Sequence, residues 1–121
     1  MSHYHLPHSH DQNSAKILES LPDTGDFQPQ AELFHQLADG NRLRIFWLLC
    51  HCEECVTNLS AMVGMSSPAV SHHLRQLKLA GLIVNRREGK EVYYRAADHP
   101  NAHILHSTLE TLLAMSCPQK D

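Results

Sequence analysis

The stretch Val63–Lys78, VGMSSPAVSHHLRQLK, limits the possible folds of this chain more than any other. Ser66 and Ser67 are residues that cap a helix start, and Pro68 fits the first helical position, where a missing N–H leaves no bond unmade. Val70, Leu74 and Leu77 recur at helical spacing and mark an inward face. The opposite face carries Ser71, His72, Arg75 and Gln76, short or donor-rich side chains with no acid among them. A shorter segment, Val56 to Val63, precedes it and ends at Gly64, so two helices meet across a tight turn. The pattern predicts a helix-turn-helix whose second helix, Ser67 to Ala80, is shaped for a DNA major groove.

The residues that follow separate this from an ordinary amphipathic surface helix. Leu82 to Arg87 (LIVNRR) and Glu91 to Ala96 (EVYYRA) are β-type runs joined by Glu88-Gly89-Lys90. Gly89 supplies the backbone freedom that a hairpin turn needs. The expected architecture is mainly α with a small β-hairpin wing, a winged helix-turn-helix. Ser67, Ser71, His72, Arg75 and Gln76 then belong to the DNA-facing helix, with base edges opposite Ser71, His72, Arg75 and Gln76. Arg86, Arg87, Lys90 and Arg95 meet phosphates. His73, one turn from Val70 and Leu77, is expected half-buried and structural.

A net charge of −3 would argue against nucleic acid if it were evenly spread. It is not. Residues 42–96 hold 8 of the 10 Lys and Arg but only 4 of the 13 acids, so this segment is +4 and the flanks together −7. Such asymmetry fits a basic DNA-facing surface on an acidic body. The cysteines, 50, 52, 55 and 117, accompany no recognisable signal peptide, which points to a cytoplasmic setting where thiols more often hold metals or sense redox state than form disulfides. The longest apolar run, Ile45 to Cys50, is far too short to span a membrane.

Residues 1–28 read as a flexible His-rich tail, with His3, His5, His8 and His10 either a metal-capturing arm or plain low complexity. Within it Lys16 to Leu21 can form one or two helical turns, and Pro22 to Pro29 reads as a loop. Residues 29–117 form the DNA-binding and dimerisation domain, and 118–121 a short tail. Ala31, Leu33, Phe34, Leu37 and Ala38 trace a helical stripe that stops at Asp39-Gly40. Arg42 to Cys50 is the next helix, with Leu43, Phe46, Trp47 and Cys50 facing the core. Asn101 to Met115 is a last amphipathic helix with a broad apolar stripe: Ile104, Leu105, Leu109, Leu112 and Leu113. It follows a DNA-binding unit that is already complete, so its stripe calls for a partner. A second copy of the chain is the natural one, because paired half-sites on DNA mirror a two-fold dimer.

ELFHQLADGNRLRIFWLL, SSPAVSHHLRQLKLAGLI and REGKEVYYRAAD together resemble the ArsR/SmtB family of small bacterial repressors, over roughly residues 30–115. The resemblance implies a homodimer that blocks a promoter on double-stranded DNA and lets go on sensing a metal ion or thiol stress. Family inducers include zinc, cadmium, lead, arsenite, nickel, cobalt, copper(I) and, in one branch, persulfides.

Three groups of residues could sense. Cys52 and Cys55 form a C-x-x-C within CHCEEC, and two such thiolates can chelate a zinc or softer thiophilic ion. By resemblance, Cys55 falls on the first cysteine of the family pattern Glu-Leu-Cys-Val-Cys-Asp-Leu, while Thr57 stands where the second should be. His99, His103, His106 and Glu110 lie at helical steps of four, three and four and form a second candidate set. Asp98 matches the start of the family's interfacial zinc site, whose remaining positions are Pro100, Thr111 and Ala114 here, so that pattern is broken. Cys117 resembles the C-terminal cysteine of the persulfide-sensing branch, or could complete a thiolate site with Cys52 and Cys55. A metal-responsive repressor is the reading we adopt, with a thiol or persulfide sensor as its alternative.

An enzyme or a metal-storage protein is the remote rival. No H-E-x-x-H, nucleophile elbow or phosphate loop is present, and the C-x-x-C does not follow a strand. A storage protein would explain the His-rich tail but not the wing.

Overall fold

The computed structural model describes residues 6–114 and 118. The chain divides into two compact units, Met1–Glu32 and Leu33–Asp121. The first holds α1 (Ser14–Glu19) and most of α2 (Thr24–Gln36), neither of which buries a residue. The expected loop at Pro22 to Pro29 is instead helical from Thr24. Asp26, the third helical residue, accepts a hydrogen bond from the Asp23 backbone N–H at 3.1 Å, one half of a capping box. Pro29 lies inside the helix. It forfeits one backbone bond close to the exposed start, and the acidic cap prevails.

The second unit contains α3 (Gly40–His51), β1 (Glu54–Cys55), α4 (Val56–Val63), α5 (Ser67–Leu79), β2 (Ile83–Glu88), β3 (Glu91–Ala96) and α6 (Pro100–Leu113). Asp39 caps α3 by accepting from the Arg42 N–H at 3.0 Å. The fully buried residues of α3 are Ile45, Phe46 and Leu49, while Leu43 and Cys50 only flank the core and Trp47 is half-buried. The inward face is thus centred about one residue away from the expected stripe, because α3 is covered by both α5 and β3.

α4 ends at Gly64, whose left-handed φ of 68° closes the turn, and the Gly64 and Met65 N–H groups both return to the Ser60 carbonyl. Two residues later Ser66 caps α5 by accepting from the Ala69 N–H. Val70, Leu74 and Leu77 then join Leu59 and Val63 of α4 in the core. The helix-turn-helix therefore stands where the sequence puts it. β2 and β3 pair from Ile83↔Ala96 to Glu88↔Glu91, leaving Gly89 (φ 63°) and Lys90 as a two-residue turn. From Val84 to Lys90 the chain is exposed, so the hairpin projects beyond the core as a wing. A third strand is an addition to the expected hairpin: β1 pairs with β3 through Glu54↔Tyr94 and Cys55↔Tyr93, giving the order β1-β3-β2.

α6 buries Ala102, Leu105 and Glu110. Ile104, Leu112 and Leu113 remain exposed, at 62%, 78% and 51%. Among the described residues no helix is long and apolar enough to cross a membrane.

Candidate DNA-reading face and metal-ligand cluster

The recognition helix is held by an interior polar clamp. Arg42 Nε donates to His73 Nδ1 at 3.2 Å, and its Nη1 donates to the Gln36 carbonyl at 2.9 Å and to Gln36 Oε1 at 3.2 Å. One guanidinium thereby joins the end of α2, the start of α3 and the middle of α5. His73 is buried rather than half-buried, with 8% exposure. Because Arg42 donates to Nδ1, the ring's proton is assigned to Nε2, which faces Asp39 Oδ1 at 4.0 Å. Burial pushes the His73 pKa down, Arg42 and His72 add to this, and Asp39 opposes it.

A pH effect follows. His73 takes its proton at lower pH in the folded chain than in the unfolded one, so the unfolded state binds more protons in between. Its contribution to stability is complete above the ordinary histidine value of about 6.5 and is lost as pH falls through the depressed folded value. Urea midpoints should therefore drop from pH 7 to pH 5, and less steeply in His73→Gln. Identical slopes for the two proteins would contradict this role for His73.

On the outer side of α5, His72 and Arg75 are exposed, and Ser71 and Gln76 half-buried. Ser67 is exposed with its hydroxyl 3.2 Å from that of Ser60, linking the two helices of the motif. Helix α5 contains no acid, so nothing on it repels a phosphate backbone. Arg87 and Lys90 present exposed charges along the wing. Arg86 is placed differently: it donates to Glu53 Oε1 from Nε and Nη2 at 2.9 and 2.6 Å, also bonds Glu88, and lies 4.9 Å from the Tyr93 ring centre. These bonds hold the Glu53 carboxyl below the usual carboxylate range. Arg95 lies 4.0 Å from the same carboxylate. Arg86 and Arg95 therefore tie the wing to the segment between α3 and β1.

The expected sensing residues lie in different settings. Cys52 and Cys55 are half-buried thiols; the Cys52 Sγ–H donates to the Leu48 carbonyl at 3.2 Å, and burial, with help from Glu54, pushes its pKa up. Cys117, His3 and His5 lie outside the described residues, and His8 and His10 are exposed, their rings stacked 5.4 Å apart. The expected single histidine face on α6 is broken up because the helix starts at Pro100. His99 lies ahead of it as the cap, accepting from the Asn101 N–H, and His103 pairs with Asp98 at 2.7 Å.

His106 and Glu110 turn inward instead and meet His51 of α3. Among the described residues these three form the group of His, Cys, Asp or Glu side chains able to share one ion, their donor atoms within 4.8 Å of one another. His51 is absent from the candidates that sequence reasoning singles out. Its one local signal is position: it follows Trp47 by four residues, as Glu110 follows His106.

A polar, acid-free helix presented by a helix-turn-helix, with a cationic hairpin beside it, defines a winged helix-turn-helix DNA-binding protein. The profile of the arsR family of bacterial regulatory proteins matches residues 39–84. A transcriptional repressor SmtB homolog of Synechocystis is 43% identical over 79 residues, which are 65% of this chain and 58% of that protein. The arsenical resistance operon repressor of Escherichia coli is 42% identical over 69 residues, 56% of this chain and 59% of its own length. The chain thus spans under two thirds of these curated relatives. The crystal structure of a possible transcriptional regulatory protein from Mycobacterium bovis (fragment 1–100) superposes with a TM-score of 0.65 at 30% identity, covering 77% of this chain and 99% of that one. A solution structure of that fragment is described as a homodimeric winged helix-turn-helix DNA-binding domain. The chain belongs to the arsR family.

Proposed function

We propose that this chain is a homodimeric repressor that binds operator DNA through α5 and the wing and releases it on binding a metal ion. The carrying observation is the outward face of α5: Ser67, Ser71, His72, Arg75 and Gln76 on a helix without acids, flanked by the exposed Arg87 and Lys90. In this reading Ser71, His72, Arg75 and Gln76 meet base edges, and Arg87 and Lys90 meet phosphates. Arg86 and Arg95 position the wing and reach DNA only by loosening their contacts with Glu53. Residues 29–117 carry both DNA binding and dimerisation, and the exposed Ile104, Leu112 and Leu113 of α6 supply apolar area for a two-fold partner. Such a dimer sets its recognition helices one DNA turn apart, about 34–36 Å.

Relatives named for arsenical and cadmium resistance support a metal or metalloid inducer. Cys52 and Cys55, just ahead of α4, are the thiolate candidates for a soft ion, with Cys117 as a third ligand. The experiment is fluorescence anisotropy on operator DNA titrated with cadmium, lead and arsenite, and separately with a persulfide donor. Cys52→Ser and Cys55→Ser should each abolish release by the soft ions. Release that survives in both removes the cysteine pair as the sensor, and release by the persulfide donor alone, lost in Cys117→Ser, replaces the metal reading with thiol sensing.

Lys90→Ala should weaken binding to all sequences about equally and reduce the slope of log K against log salt by roughly one unit. Altered sequence preference in that variant would misplace the wing.

A further inference from the structure

We propose that His51, His106 and Glu110 form a second metal site, separate from the cysteines, that takes a borderline divalent ion of the zinc class. Glu110 Oε1 lies 3.1 Å from His51 Nε2, 2.9 Å from His106 Nε2 and 3.1 Å from Trp47 Nε1, and the two imidazole Nε2 atoms are 3.1 Å apart. Without an ion both ring N–H groups can share the Glu110 Oε1 acceptor; with the protons moved to Nδ1, both Nε2 lone pairs and the carboxylate converge on one point. An ion held ~2.0–2.1 Å from each donor in tetrahedral geometry keeps its donors ~3.3 Å apart. The observed triangle of 3.1, 3.1 and 2.9 Å is therefore close to one face of such a tetrahedron.

The surroundings fit the same use. The three side chains are only 15%, 22% and 11% exposed, so the donors are largely shielded from competing water. His51 and His106 also line a cleft of about 340 Å³ with Cys52, Asp98 and His103, which gives an ion a route from solvent. Trp47 orients two ligands at once. Its indole N–H donates to Glu110, and its ring lies 4.5 Å from that of His51. Two imidazoles and a carboxylate suit zinc, cobalt or nickel better than arsenite or lead, which favour thiolates. His51 belongs to α3, which packs on α5, whereas His106 and Glu110 belong to α6 with its exposed apolar face. An ion here pins the support of the recognition helix to the proposed dimer face. Resting on the repressor reading, occupancy should weaken operator binding about 5–150-fold, and operator should weaken the ion by the same factor.

The test uses the full-length chain and two readouts. One equivalent of cobalt(II) should produce visible d–d absorption without a thiolate charge-transfer band, and zinc should displace it. His51→Gln and His106→Gln should each weaken zinc by more than the ~10–100-fold that losing an outer partner costs, and Trp47→Phe by about tenfold with the cobalt spectrum unchanged in shape. Cys52→Ser/Cys55→Ser should leave the spectrum intact. In anisotropy, zinc should release operator from the native chain but not from His106→Gln. Two histidine variants guard against a folding defect in either one. Native-like zinc and cobalt binding by both overturns the site, as does a charge-transfer band that survives in them and vanishes without the cysteines. Failure of the metal-free chain to bind operator would sink the repressor reading instead, while the absorption still reports the site.

Discussion

Phe46→Ala should cost ~3–5 kcal/mol of folding stability, the usual loss for emptying a buried aromatic site. Phe46 is completely buried, as is its neighbour Ile45, in the helix on which both the recognition helix and the wing pack. Deletion of the ring leaves a void in the core at α3, the helix that packs on α5 and β3, so its collapse would disturb the support of the DNA-reading face. Against a typical total of ~5–15 kcal/mol the loss is large. Urea unfolding should show a lower midpoint with an unchanged m-value. A loss below ~1 kcal/mol would mean that Phe46 is not the centre of this core.

Arg75→Ala should leave stability within ~0.5 kcal/mol of the native chain, because the side chain is exposed on the outer face of α5. Its effect belongs to DNA. A good bidentate contact to a base is worth ~1–3 kcal/mol of discrimination, and both copies of a two-fold dimer lose it together. Operator affinity should fall about 5–150-fold per half-site, while binding to unrelated duplex changes little. Competition against operators substituted one base pair at a time should show selectivity lost at one symmetry-related position. Equal weakening on every sequence would make Arg75 a phosphate contact. The adjacent Leu74, 1% exposed, would give the opposite result: stability lost first, DNA binding only as a consequence.

The contrast between these neighbours shows which features the sequence makes legible and which it hides. The helix-turn-helix and the wing are set by local rules: the apolar spacing of Val70, Leu74 and Leu77, the cap at Ser66, and the turns at Gly64 and Gly89. Those rules place α4 at its observed bounds and α5 and the hairpin to within one residue. Departures arise where a local preference meets a competitor. Pro29 suggests a loop, and the Asp23–Asp26 cap overrides it. β1 is two residues long, and only its pairing with β3, some forty residues onward, makes it a strand. His51 is hidden for the same reason, since its partners are 55 and 59 residues away. Periodicity on α6 correctly sets Glu110 and His106 on one face, but it cannot reveal which helix that face meets. Arg86 looks like any other wing cation in the sequence; its three-way contact with Glu53, Glu88 and Tyr93 exists only in the fold.

Reading of operator DNA through α5 and the wing is measured most directly by the anisotropy of labelled duplex from the chain's own promoter region. The duplex is titrated with metal-free protein at several salt concentrations, alongside a scrambled duplex. The expected result is saturable binding that prefers the promoter duplex, with log K falling linearly as log salt rises and the preference narrowing in Arg75→Ala. No binding, or equal affinity for both duplexes at every salt concentration, would contradict it.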